Sequence, residues 1–323
     1  MGEKQVSRKV GSLINHYGIY LMFIILIIVS TMISPNFMTY RNLISVSKQI
    51  SVTAVMSFGM TLLIISGQID LSMGSTIAMA GMVSINAFLA TGSYILAVIV
   101  ACVVAALIGY INGHLITTLK LPGFIATMSM DTIVRGAVYL YTGGSPIYQI
   151  GDYGVISTTY VGVFPLPVII MIIVGIICYL ILRYTRFGRS LYACGGNVDA
   201  AEASGINVGR TKRMAFVVSG IFVGIAAVLQ MARLNSGLPD TAEGYHADAI
   251  ASAVIGGTSF TGGTGTATGT IVGALIIGVI SNILNLCGVQ SYVQQIVKGI
   301  IIVAAVSFDL LGKSRKIKKL KKA

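Results

Sequence analysis

Five ionisable residues stand inside or at the edge of long apolar runs, and they are where this sequence could do chemistry: Asp70, Asp131, Arg135, Asp248 and Lys298. A charge in hydrocarbon is costly unless paired or hydrated, so each marks a structural tie or a functional contact. Asp70 falls in GQIDLS, a polar interruption where freed backbone groups need partners or water. It can cap a helix restarting at Ser72 or Met73, or it can touch a passing solute. Asp131 and Arg135 are spaced to pair along one helix face. Asp248 opens a short apolar run, where an acid suits a helix N-terminus. Lys298 lies about eight residues into the last apolar run, hence about 12 Å deep at the usual helical rise. It should face protein or water rather than lipid.

These groups do not assemble an enzyme. The sequence contains no G-x-S-x-G and no H-E-x-x-H. SFDLLGKS, Ser307 to Ser314, has Ser where a phosphate-binding loop needs Gly, and the Gly-rich stretch Gly256 to Gly269 lacks the Lys. Cys102, Cys178, Cys194 and Cys287, with His16, His114 and His246, follow no metal-ligand spacing. The residues therefore predict no enzyme, no metal site and no ATP bound by this chain itself.

The elements around these residues are membrane spans. Of 323 residues 55% are hydrophobic and only 10% charged, and the mean hydropathy is +0.88. A soluble domain carries about a quarter charged residues. Apolar runs near the length needed to cross roughly 30 Å of hydrocarbon occupy Tyr17–Ile33, Leu43–Ser66, Thr76–Ala90, Tyr94–Thr118, Gly123–Tyr141, Val163–Leu182, Met214–Ala232, Thr270–Leu286 and Gln290–Phe308, with a short one at Ala247–Ile255. The first follows a basic start with no cleavage-like site and reads as a retained span rather than a signal peptide. The expected fold is an all-α polytopic membrane protein of about ten transmembrane segments, some broken or short.

The net charge of +12 does not call for nucleic acid, because the cations cluster at membrane edges, where the positive-inside rule places them. Residues 1–16, the loop 187–213 and the tail 312–323 are then cytoplasmic parts of a single transmembrane domain spanning 1–323, with both termini inside. The loops TGGSPIYQIGDYGVISTTY and NSGLPDTAEGYH carry acids and no Lys or Arg, so both should face outward. Arg41 alone violates the pattern.

Within the loop 187–213, Asn197–Ser204 has a helix-forming composition, with Asn197 placed as N-cap, Asp199 in the first turn and Gly205 placed to stop it. Such a capped helix between basic flanks is a docking element, or else part of a solvated loop between two spans. Elsewhere, IISGQIDLSMGSTIAMAG and VIGGTSFTGGTGTATGTIVG each interrupt a pair of apolar runs with Gly, Ser and Thr. Broken segments at matching places in two halves point to a translocation site. Small residues also let helices approach closely, and both readings hold together.

Over nearly its whole length the chain resembles the permease subunits of bacterial ribose-type ABC sugar importers. The resemblance is carried by SPNFMTYRNL, GMTLLIISGQIDLSMGS, FIATMSM with RGAVYLYTGGSPI, TRFGRSLYACGGNVDAAEASGINV, ARLNSGLP with GYHADAIASAVIGGTSFTGGTGTATGTIVGALIIG, and LNLCGVQSYVQQIVKG. It implies a multi-pass protein of the bacterial cytoplasmic (inner) membrane, working as a homodimer or paired permease. The implied partners are a cytosolic ABC ATPase, which would hold ATP and Mg, and an extracytoplasmic sugar-binding protein. It further implies that Gly195, Gly196, Asn197, Asp199, Ala200, Glu202, Ala203, Gly205 and Ile206 form the coupling helix on the ATPase. Asp131 departs from the family, where an apolar or hydroxyl residue is more usual. A nearly charge-free interior suits a neutral polyhydroxylated solute such as ribose, xylose or galactose. Gln68, Ser72, Thr258, Ser259, Asn282 and Asn285 would offer it transient hydrogen bonds, with Asp70 and Asp248 beside the path. A permease for a branched-chain amino acid or a furanose-like signal is the nearer alternative, and an ion-coupled secondary transporter the more distant one.

Overall fold

The structure, a computed structural model, describes residues 2–320, with side chains described for 18–307, 309 and 310. The side chains of the basic start 1–16 and the tail 312–323 thus lie outside the described residues. Long helices dominate the chain: α1 (Gly2–Ile33), α2 (Tyr40–Ile65), α3 (Met73–Thr91), α4 (Tyr94–Thr117) and α5 (Gly123–Thr142) come first. A single 3₁₀ turn, Gly151–Gly154, leads into α6 (Val155–Thr158) and a two-strand hairpin, β1 (Tyr160–Val161) and β2 (Phe164–Pro165). There follow α7 (Leu166–Tyr184), α8 (Arg186–Gly196), α9 (Val198–Ala203), α10 (Val208–Leu234), α11 (Tyr245–Ile255), α12 (Ala267–Leu286) and α13 (Ser291–Leu320).

Among the described residues, six helices (α2, α3, α4, α7, α10 and α12) are long and apolar enough to cross a membrane, and Gly18–Ile33 and Ser291–Ser307 are shorter apolar helical stretches. α2 is the axis of the bundle. Its apolar window is 89% buried, whereas that of α4 is 22% buried. A helix apolar all round belongs inside, and one with a single sheltered stripe belongs at the lipid-facing rim. The stripe on α4 is Ala97, Ala101, Ala105, Gly109, Asn112 and Gly113, small residues that let α10 lie against it. A Cβ added at Gly220 or Gly224 of α10 would strike the backbone at Ala105 or Cys102. Close approach through small residues is how membrane helices gain packing without a hydrophobic drive.

The two Gly/Ser/Thr interruptions are real breaks, and they meet. α2 ends at Ile65 and α3 starts at Met73; α11 ends at Ile255 and α12 starts at Ala267. The Gly263 N–H donates to the Ile65 carbonyl at 2.9 Å, joining one break to the other.

Three features depart from the sequence reading. The segment 235–244, expected as an outer loop, turns back into the bundle: Ser236, Thr241 and Ala242 are buried, and the Ala242 carbonyl packs against Gly74 near the start of α3. The loop 187–213 contains a second helix, α8, whose Thr185 cap accepts from Gly188 N at 2.9 Å. α10 begins at Val208, ahead of its apolar run, because Asn207 caps it by accepting from Arg210 N at 2.8 Å. Arg213 is absorbed into that extension by donating to Thr117 and Thr118 at the end of α4.

Candidate functional site

α9 is defined by its caps. Asn197 Oδ1 accepts from Ala200 N at 2.9 Å, satisfying one of the free N–H groups of the first turn. At the other end Ile206 N donates to Ala201 O at 3.0 Å and Gly205 N to Glu202 O at 2.9 Å. This is a Schellman closure, which needs the left-handed backbone that Gly205 supplies at φ +79°. Ala201 packs inward with Cys194, Val208 and Ile206, while Asp199, Ala200, Glu202, Ala203 and Gly205 are exposed. Burial pushes the Cys194 thiol up from its ordinary range. A short, doubly capped helix thus presents one polar face outward from the end of the bundle.

Gly195 faces the other way, whereas Gly196 is exposed with open space where a Cβ would stand. A Cβ at Gly195 would fall on the Ile65 carbonyl, and Gly262 and Gly263 press on Gly195 and Gly196. The Tyr192 hydroxyl donates to Gly265 O at 2.7 Å. α8 therefore rests on the joined breaks.

Asp70 is 6% exposed and is held by protein through one carboxylate oxygen. Its Oδ1 accepts from Ser72 N at 2.9 Å, Ser72 Oγ at 2.6 Å and Asn112 Nδ2 at 3.3 Å. Asn112 Nδ2 also donates to Ser72 Oγ at 2.9 Å. Asp70 fastens the residue that precedes α3 rather than the first-turn N–H groups; Ser72, the N-cap, makes no side-chain cap bond. Gln68 sits beside Gly123 at the start of α5. Across the junction, Ser259 Oγ donates to Asp309 Oδ2 at 2.9 Å, and Phe260 N donates to the same atom at 3.1 Å. Thr258 Oγ1 is buried without a hydrogen-bond partner.

The other candidates lie elsewhere along the bundle. Asp248, in the first turn of α11, pairs with Lys298 of α13 at 2.8 Å. Asn282 and Asn42 exchange amide hydrogen bonds at 2.9 and 3.0 Å, and Asn285 accepts from Gln294 at 2.8 Å. Gln68, Asp70, Ser72, Thr258 and Ser259 are thus brought to the α9 end of the bundle, Asp248 stands apart, and Asn282 and Asn285 lie near the opposite end of α12.

Asp131 and Arg135 do not pair. Arg135 Nη1 donates instead to Pro239 O at 2.6 Å and Thr241 O at 3.1 Å. The reason is the re-entrant segment 235–244, whose carbonyls have no helix to satisfy them. Sequence reasoning missed this role, along with those of Asn42, Asn112 and Asp309. Asn112, a lone amide in an otherwise apolar run, was the one visible signal.

Comparison with known proteins places these features in context. The sequence pattern of the family described as branched-chain amino acid transport system / permease component matches residues 42–306. The chain is 40% identical over 305 residues to the ribose import permease protein of Escherichia coli, covering 92% of this chain and 94% of that one. It is 40% identical over 295 residues to the ribose import permease protein of Bacillus subtilis, covering 90% and 92%. It is 35% identical over 310 residues to the L-arabinose transport system permease protein of Escherichia coli, covering 95% and 94%. No solved structure matches the chain.

Proposed function

The chain belongs to the family of branched-chain amino acid transport system / permease components, and on that premise we propose that it is the membrane-spanning permease subunit of an ATP-driven monosaccharide importer. Similarity along more than nine-tenths of the chain to permeases for ribose, allose and L-arabinose carries the sugar assignment. The family's own description keeps a branched-chain amino acid as the second reading.

In this reading a binding protein outside the cell delivers the sugar to a pair of permeases in the bacterial inner membrane. About ten segments cross or enter the bilayer and both termini are cytoplasmic. A separate ATPase, carrying ATP and Mg, docks on the outer face of α9. Its stroke reaches the joined breaks through Gly195, while Gln68, Ser72, Thr258, Ser259, Asn282 and Asn285 line successive stages of a weakly binding path beside Asp70 and Asp248. Weak, dispersed contacts suit a conduit, because tight binding would delay release.

The test is uptake of labelled ribose, allose, arabinose and leucine by cells expressing the chain with its ATPase and binding protein. One of the sugars should accumulate in an ATP-dependent way and leucine should not. Accumulation of leucine alone would transfer the assignment to amino acids. A cysteine at the exposed Val163, in a background lacking native cysteines, should react with an impermeant maleimide added outside, and one at Asn197 should not.

A further inference from the structure

A cavity of about 650 Å³ opens at the end of the bundle away from α9, between the first turns of α2, the 3₁₀ turn with α6, and the end of α10. Arg41 and Lys48 line it from one face of α2, with Ile44 and Ser45 between them, and Arg233 enters from α10. Asp152 is the single carboxylate on the wall. Among the described residues the only ion pair is Lys298 with Asp248, so none of these three cations is neutralised by protein. Arg233 donates to Gln230 Oε1, and Lys48 lies over the Tyr160 ring at 5.4 Å.

Arg41 is also the cation that the sidedness of the chain does not explain. It lies roughly 36 Å along α2 from Ile65 at the helical rise, at the end away from α9, together with Lys48 and Arg233. Two cations without an ion-pair partner, held about two helical turns apart on one concave wall, can share an anion from outside the chain. Guanidinium and ammonium groups together suit the oxygens of a phosphate. The wall also carries apolar side chains, Ile44 on α2 and Val155 on α6, and Val155 is 44% exposed at the rim. Lys48, deeper along α2, can extend its aliphatic stem past apolar neighbours toward the membrane edge.

We propose that this cavity binds the phosphate group of an anionic lipid headgroup, with Arg41 and Lys48 as ligands, Arg233 adding to the field, and the exposed rim holding the first part of the acyl chains. A free phosphate ion shares the headgroup chemistry but would gain nothing from the rim. An acidic patch on a protein partner would engage the outermost residues rather than a recess reaching Lys48.

The experiment uses the full chain, delipidated in a neutral detergent, with thermal melting followed during titration. The probes are short-chain phosphatidylglycerol, short-chain phosphatidylcholine and inorganic phosphate. Phosphatidylglycerol should raise the melting midpoint saturably, and the R41Q/K48Q variant should need at least about tenfold more of it, a loss near 1.4 kcal/mol. Asp152→Asn, which removes the opposing charge, should shift the midpoint concentration the other way and covers the case in which the double variant folds poorly. Equal potency of inorganic phosphate and phosphatidylglycerol would keep the anion site but assign it to the free ion. Equal responses to phosphatidylglycerol and phosphatidylcholine, or unchanged responses in R41Q/K48Q and Asp152→Asn, would overturn the proposal. So would a double variant that responds normally to lipid yet no longer captures the sugar-binding protein, since the cavity would then be a protein-docking patch.

Discussion

Lys298 Nζ lies 2.8 Å from Asp248 Oδ2, and this ion pair fastens the last helix, α13, to the start of the short helix α11. About three turns further along α13, on the same face, Asp309 holds Ser259 and the Phe260 N–H just beyond the end of α11. α11 is therefore gripped at both ends by one neighbour. It links the re-entrant segment held by Arg135 to the turn that rests on Gly195.

Breaking half of the ion pair should hurt more than removing both charges. Lys298→Met leaves Asp248 unpartnered in a site where its side chain is 10% exposed and that of Lys298 is 25% exposed. A fully buried orphan charge costs about 3–5 kcal/mol; the partial exposure here reduces that. Fluorescence-detected gel filtration should show a lower folded yield for Lys298→Met than for Lys298→Met with Asp248→Asn. Equal yields would mean that water, not Lys298, neutralises Asp248.

Arg135 and Asp131 should behave independently. Arg135→Leu removes the donor to two carbonyls of the re-entrant segment, and each buried unpaired group costs about 1–3 kcal/mol. A cysteine at the exposed Glu243 should then label much faster. Asp131→Ala should leave folded yield within about 0.5 kcal/mol of wild type, as for a substitution away from any network. A rescue of Asp131→Ala by Arg135→Leu would restore the pairing that the spacing suggests.

Asp70→Asn should keep most uptake and Asp70→Ala should not. Asn retains an oxygen to accept from Ser72 N, whereas Ala leaves the Ser72 N–H and hydroxyl without their acceptor and Asn112 with Ser72 Oγ alone. Uptake assays with matched expression decide it. If both variants fail alike, the negative charge itself is needed for transport.

Gly195→Ala and Ala203→Trp separate the packed face of α8 from the exposed face of α9. The alanine Cβ would collide with the Ile65 carbonyl, so Gly195→Ala should lower both folded yield and uptake. Ala203 is exposed, so Ala203→Trp should fold normally, co-purify less ATPase and lose uptake. Gly205→Val should resemble Ala203→Trp with added fraying, because φ +79° is strained for a β-branched residue. Full ATPase retention and normal uptake in Ala203→Trp would leave α9 as a solvated loop and revive an ATPase-independent transporter.

What the sequence alone determined is what acts over short range. Apolar runs, the Gly/Ser/Thr interruptions, and the caps Asn197 and Gly205 each depend on neighbours within a turn or two, so composition and spacing reveal them. The helical membrane class and the boundaries of α9 were legible for that reason. Tertiary structure decided the rest. Arg135 had a carboxylate four residues away, but two carbonyls with no helix to serve them lay closer in space, and a carbonyl leaves no mark in a sequence. Gly195 read as part of a partner-facing helix, yet it packs inward because Ile65 and Gly263, remote along the chain, leave no room for a side chain. Four of the polar residues expected along one path are hydrogen-bonded to partners the sequence did not mark: Ser72 to Asn112, Ser259 to Asp309, Asn282 to Asn42 and Asn285 to Gln294. Away from water a polar side chain depends on partners that folding brings within reach, and for these four residues the partner lies outside their own turn of helix or loop.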